Sequence, residues 1–111
     1  MPTYFSEREV RGLDPGLVSL LDYARQLAGV PFVITCGLRT PEENVAVGGA
    51  ANSAHLRGLA VDLRAHDSES RFLILAALFK VGFRRFEVVA ADGHVHVDID
   101  PSLPTPRFVV K

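Results

Sequence analysis

The segment His94-Val95-His96-Val97-Asp98-Ile99 alternates ionisable side chains with β-branched apolar ones. Period two is the repeat of an extended strand, so His94, His96 and Asp98 share one face while Val95, Val97 and Ile99 share the other. A fold built around such a strand must bury one face and find a use for its opposite. Three ionisable groups are costly to bury unpaired, so the polar face is either solvated or neutralised by something held there. A second segment obeys the same rule. Leu59, Val61 and Leu63 alternate with Ala60, Asp62 and Arg64, which puts Asp62 on the polar face of its own strand.

Around these two strands the remaining elements follow from caps and breakers. Ser6-Glu7-Arg8-Glu9 is a capping-box pattern and predicts a short helix ending near Gly12. Asp14 and Pro15 open a second helix, whose apolar positions Leu17, Leu20, Leu21, Ala24, Leu27 and Ala28 recur at helical spacing until Gly29. Pro31–Cys36 reads as a buried strand, and Thr40-Pro41 restarts a brief helix. Gly48-Gly49-Ala50-Ala51-Asn52-Ser53 is a loop of small residues. Asp67 or Ser68 caps a helix through Lys80, with Phe72, Leu75, Ala76 and Phe79 as its expected inward stripe and Gly82 as its stop. Phe83–Ala90 predicts a strand, and Ala91-Asp92-Gly93 a hairpin turn into the His94–Ile99 strand. Pro101, Pro104 and Pro106 keep the tail irregular as far as Phe108-Val109-Val110. The expectation is an α+β fold, helices packed on a small, mainly antiparallel sheet. With 111 residues the chain suits a single domain, 1–111.

Several function classes drop out early. Twelve Lys+Arg against thirteen Asp+Glu leave no basic stripe for a phosphate backbone, so nucleic acid is not an expected partner. One cysteine forms no internal disulfide. The apolar run Phe72–Phe79 is far short of a membrane span, so no membrane partner is expected. Met1 to Glu9 has neither the basic nor the apolar region of a signal peptide. Synthesis in the cytoplasm and a monomeric state are the expectations.

His55, Asp62 and His96 are the candidate metal ligands. If the two alternating strands are neighbours, two imidazoles and one carboxylate converge. That set leaves one position of a tetrahedral zinc open for water, the arrangement of catalytic rather than structural sites. Imidazole and carboxylate suit zinc better than magnesium or calcium, which favour oxygen shells. Spacing alone leaves an ordinary alternative open, with His94 on the surface and His96 paired to Asp98 or Asp100.

At these residues the sequence resembles the M15 metallopeptidases, the group of D-Ala-D-Ala carboxypeptidases and phage endolysins. The family signature Ser-x-His-x-x-Gly-x-Ala-x-Asp is matched by Ser53, His55, Gly58, Ala60 and Asp62. Upstream, Ile34-Thr35-Cys36-Gly37-Leu38-Arg39-Thr40 is similar to the family's Ile-Thr-Ser-Gly-Tyr-Arg-Thr run, and Asn44 to Ser53 to the loop after it. Downstream, Val95-His96-Val97-Asp98 resembles the segment with the last zinc ligand, and Tyr4 to Glu9 the start of small members.

The resemblance implies a hedgehog/DD-peptidase-like fold and one zinc ion on His55, Asp62 and His96. It implies a peptidase acting on a peptide bond in peptidoglycan stem peptides, at the cell wall or periplasm after phage- or prophage-type release. Arg39 would hold an oxyanion or a substrate carboxylate; its alternative is an ion pair with Glu42 or Glu43. Ser53 would touch substrate or simply cap a turn. Many members carry an acid three positions before the last His, where this chain has Gly93. The candidate acid/base is therefore His94, then Asp92, then Glu87. Cys36 reads as a small buried residue, His66 as surface, and Asp98 as either an orienter of a ligand imidazole or a solvated group. Rival readings are a D-Ala-D-Ala dipeptidase or L,D-carboxypeptidase, a non-catalytic zinc-containing wall-binding module, and a phage structural piece.

Overall fold

The computed structural model describes residues 3–111. Residues 1 and 2, which begin the stretch read above as lacking a leader, lie outside them. Helix α1 runs Pro15–Ala28; the Asp14 carboxylate accepts from Gly16 N and Leu17 N, and Gly29 closes it in the left-handed region. Strand β1 is Ile34–Cys36 and helix α2 is Pro41–Ala46, started by a Thr40/Glu43 capping box. A 3-10 turn, Ala54–Arg57, leads through Gly58 into β2, Ala60–Arg64. Helix α3, Ser68–Val81, is capped by Asp67 and stopped by Gly82. Strands β3 (Arg85–Val89), β4 (His94–Asp98) and β5 (Arg107–Val110) complete the chain.

The strands form one sheet in the order β1-β2-β4-β3-β5, antiparallel except for the β3–β5 pair. In β2 and β4, Asp62 sits directly opposite His96, and Val61 opposite Val97. This register sends Val61, Leu63, Val95 and Val97, together with Phe86, into a core shared with Leu17 and Leu21 of α1 and Ile74 and Leu78 of α3. The opposite face carries Asp62, His94, His96 and Asp98, which line an open cleft. The fold is α+β, as the element order implies.

Four expectations need correction. The Ser6/Glu9 capping box does form, with Ser6 N to Glu9 Oε1 at 2.9 Å, but turns follow it rather than a helix. So short a run leaves the nucleation cost unrecovered, while Phe5 and Leu13 anchor its ends in the core. Pro31–Cys36 is not a buried strand: only three residues pair, on the sheet edge, and Thr35 is exposed. In α1, Leu27 is exposed and Val18 buried in its place. In α3 the buried stripe is Ile74, Ala77 and Leu78, while Phe72 is 70% exposed, Phe79 45% and Ala76 exposed. That helix is apolar around nearly its whole circumference, so spacing offers several registers and packing against α1 selects one. Phe79 instead stacks on Phe86, ring centroids 4.3 Å apart.

Candidate metal centre in an open cleft

The polar face of the sheet floors an open cleft of about 1010 Å³, walled by the α2 region on one side and the start of β5 on the other. Local sequence dictates how each site residue arrives there. Ser53 Oγ accepts from His55 N at 3.3 Å and starts the 3-10 turn that turns His55 inward. Gly58 ends that turn at φ 69°, and a Cβ there would stand 2.2 Å from Gly12 O, so only glycine lets the backbone return to β2. Asp62 and His96 arrive by strand register.

Both imidazoles converge on one carboxylate oxygen. His55 Nε2 lies 3.2 Å and His96 Nδ1 3.0 Å from Asp62 Oδ1. Their outer nitrogens are fixed by acceptors. His55 Nδ1 donates to Gly37 O at 2.8 Å, and His96 Nε2 donates to Asp98 Oδ2 at 2.9 Å. With those protons on the outer nitrogens, neutral rings would aim two lone pairs at a carboxylate, an arrangement that needs positive charge at its centre. Protons supply it in the metal-free protein. The His55 ring is raised to about 10: burial, the largest influence, opposes the charge, but Asp62, Cys36 and Gly37 together outweigh it. His96 is raised and Asp62 held far below the carboxylate range, again because mutual hydrogen bonds overcome burial.

A divalent cation supplies the same charge. Ligands about 2.0–2.1 Å from a tetrahedral zinc stand about 3.3 Å from one another, close to the distances of each imidazole from Asp62, although among the described residues the set whose donor atoms all lie within 4.8 Å of one another is Cys36, His55 and Asp62, without His96. A protein acceptor on the outer nitrogen of each imidazole is also the usual support of a metal-binding histidine. The donor set fits zinc.

Asp98 is not a solvated group but holds the outer nitrogen of His96. It is 2% exposed; besides His96 it accepts from Arg85 Nε at 2.8 Å, and Arg85 in turn donates to Pro104 O. Cys36 is a correction: it is half-buried in the cleft wall, because β1 lies at the sheet edge and pairs Cys36 with Asp62. Its Sγ is 3.4 Å from Arg39 Nη2 and 3.7 Å from His55 Nδ1. The His55 hydrogen bond, with Arg39 behind it, draws the thiol below its ordinary value despite burial. Cys36, His55 and Asp62 themselves form a compact potential donor group.

Arg39 faces the cleft, but its partner is neither Glu42 nor Glu43. Its Nη1 donates to Asn44 Oδ1 at 2.9 Å, while Glu43 is engaged by Thr40 N at 2.8 Å. Asn44 is buried and also donates to Ala50 O, locking the small-residue loop. Nothing in its spacing singled out Asn44. His94 and Asp92 line the cleft, His94 half-buried two residues along the same strand face as His96. Glu87 pairs across the sheet with His96, but Lys111 Nζ at 3.1 Å and Arg107 Nη1 at 3.5 Å hold its carboxylate. The Lys111 contact is the chief influence that keeps it ionised against burial. Gly93 has φ 65°, a backbone conformation strained for any side chain, and a Cβ there would meet the ring of exposed His66 at Nδ1, 2.2 Å away, unless that ring moved. His66 is exposed, as expected.

Among the described residues no helix is long and apolar enough to cross a membrane. No curated protein matches the chain. Among solved structures, the Serratia marcescens L-Ala D-Glu endopeptidase ChiX matches with a TM-score of 0.65 and 24% identity, over 90% of this chain and 89% of that one. The fold is thus shared with that enzyme. The family pattern of peptidase M15 matches residues 5–98, a span that includes His55, Asp62 and His96. The chain belongs to the peptidase M15 family.

Proposed function

We propose that this chain is a zinc-dependent peptidase that hydrolyses a peptide bond in the stem peptides of bacterial peptidoglycan. The observation that carries the reading is the convergence of His55 Nε2 and His96 Nδ1 on Asp62 Oδ1, with both outer nitrogens held by acceptors. The fold shared with an enzyme described as an L-Ala D-Glu endopeptidase supports the substrate class. His55, Asp62 and His96 would hold the ion. Bound zinc supplies Lewis acidity toward a peptide carbonyl and lowers the pKa of water at the site.

The chain's own residues supply the rest. Arg39, fixed by Asn44, presents a guanidinium to the oxyanion or to a substrate carboxylate. His94 takes the proton of the attacking water and delivers it to the nitrogen of the leaving amine, with Asp92 as the second candidate for that work. Ser53, besides capping the turn, offers its hydroxyl to substrate. Asp98 and Gly37 keep both imidazoles in the tautomers that point a lone pair inward. Purified protein incubated with cell-wall fragments is expected to release peptides, to stop on chelation and to recover with added zinc. Cleavage indifferent to the chelator overturns the metal reading, and fragment analysis separates an endopeptidase from a carboxypeptidase or dipeptidase.

Gly93, in place of an acid, favours a second reading, a wall-binding module without catalysis. An inert parent whose His94→Ala and Asp92→Ala variants still bind wall fragments would establish that alternative.

A further inference from the structure

Beyond the metal-facing atoms, one ion pair between a buried carboxylate and an exposed guanidinium ties together the two elements that carry the imidazoles. Asp100, just past the end of β4, is 2% exposed although it is a carboxylate. Its Oδ1 accepts from Ser102 N at 2.9 Å and from Ser102 Oγ at 2.6 Å. Its Oδ2 receives the guanidinium of Arg57, the last residue of the 3-10 turn that bears His55. Arg57 also donates to Asn52 O at 3.1 Å, so one side chain spans both ends of that turn. On the other side, Asp100 N donates to Asp98 Oδ1 at 3.2 Å, and Asp98 holds His96. A continuous polar path therefore runs from His96 through Asp98, Asp100 and Arg57 to the turn carrying His55.

We propose that the Arg57–Asp100 pair is a clamp that sets the approach of His55 to His96, making both residues positioning groups for the metal centre. This rests on the zinc reading given above. The turn is only four residues long and too short to hold its own geometry. Its backbone is otherwise tied to the neighbouring loop by Arg39 N to His55 O at 3.0 Å and by Asp14 N to Gly58 O at 2.9 Å. Just past the turn, Ile99 N donates to Leu59 O at 3.0 Å and ties the exit to the end of β4 by backbone, and Arg57 adds a side-chain tie from the turn itself to Asp100 just past β4. The two imidazoles come from elements far apart in the chain, and the clamp joins residues 43 apart in sequence across those same elements. Without it, His55 can drift relative to His96 while each element stays folded. A constellation held by packed, hydrogen-bonded neighbours loses affinity when that support is removed, even with every ligand present.

The test uses the full chain and two measurements. Arg57→Met alone strands a buried carboxylate, so the paired variant Arg57→Met/Asp100→Asn, which removes both charges together, is measured beside it, with Arg57→Lys as the conservative variant. In chelated, metal-free protein, amide exchange at Arg39, Gly58 and Leu59 should rise in the paired variant while β3 and β4 amides keep their protection. By competition with a chromophoric chelator, zinc affinity should fall about tenfold in the paired variant and return most of the way in Arg57→Lys. A cobalt-substituted protein should show altered visible bands in the paired variant. Unchanged exchange at the turn overturns the clamp, whatever the metal result. If the parent binds no zinc, the functional reading falls, and the exchange measurement still decides whether this pair pins the turn. Faster exchange with zinc affinity and cobalt bands unchanged overturns the role in metal positioning.

Discussion

The two faces of the sheet are built from the same strands and have opposite chemistry. On the helix side, Val61, Leu63, Val95, Val97 and Phe86 are each at most 1% exposed and belong to the hydrophobic core. On the cleft side, Asp62, His96, Asp98, Arg85 and Glu87 occupy the intervening positions, each tied to another polar group. Burial of apolar area stabilises the first face. Mutual pairing makes the second tolerable, and it does so only while cations or protons balance the carboxylates. Residues adjacent in sequence thus divide between stability and chemistry by parity, and substitutions should separate the two.

The sharpest separation compares Asp62 with Leu63. Asp62→Ala removes the oxygen on which both imidazoles converge; hydrolysis of wall fragments should fall at least about a thousandfold, about 4 kcal/mol, with loss of bound zinc. Retained activity would mean that the cleft face does not carry the chemistry. Leu63→Ala, one residue on, should cost about 3 kcal/mol of stability in urea unfolding yet leave zinc stoichiometry at the parent value below its midpoint. A smaller effect is expected at Asp98. Asp98→Asn keeps a side chain of the same shape but weakens the hold on His96, and zinc affinity should drop about 10–100-fold by chelator competition, about 1.4–2.7 kcal/mol. An unchanged affinity would break the link between the orienting carboxylate and the site.

The mildest effect is in pH. In metal-free protein the His55 ring is raised from 6.5 to about 10, so its stabilisation is complete below pH 6.5 and is lost as pH rises through about 10. Asp62 works in the other direction: its contribution is present above its ordinary value of 3.8 and is lost as pH falls through its lowered folded value. The melting temperature of chelated protein should therefore decline between pH 6.5 and 10. Zinc-loaded protein should hold steady over that range, because the ion replaces the protons. Parallel curves with and without zinc would show that the cluster is not the seat of the metal.

The two alternating strands and their shared polar face were legible because period two is unambiguous where β-branched and ionisable residues strictly alternate. Helix starts were legible from their capping side chains at Asp14, Thr40 and Asp67, whereas the equally well-formed Ser6/Glu9 box opens no helix. The α3 stripe was not, since a helix apolar on nearly all sides carries no phase information and tertiary packing alone decides it. Nor was the supporting polar network. Arg85, Asn44 and Arg57 sit at positions where arginine and asparagine look like ordinary surface residues, and their partners Asp98, Ala50 and Asp100 come close only after the chain folds. The resemblance offered His94, Asp92 and Glu87 as candidate bases; the double hold of Lys111 and Arg107 on Glu87 depends on β5 pairing parallel to β3, which no local pattern announces.

The Asp62–His96 register has a consequence for how a preparation of this protein is judged. Slippage of β4 by a single residue would turn His94, His96 and Asp98 toward α1 and α3 and expose Val95 and Val97 to water. A misthreaded chain would lose its cohesion and its ligand triad in the same event, so folded material that cannot take up an ion has no simple route of formation through this strand. If the proposed zinc site holds, ions bound per chain would count correctly assembled molecules, and titration would double as an assay of strand alignment.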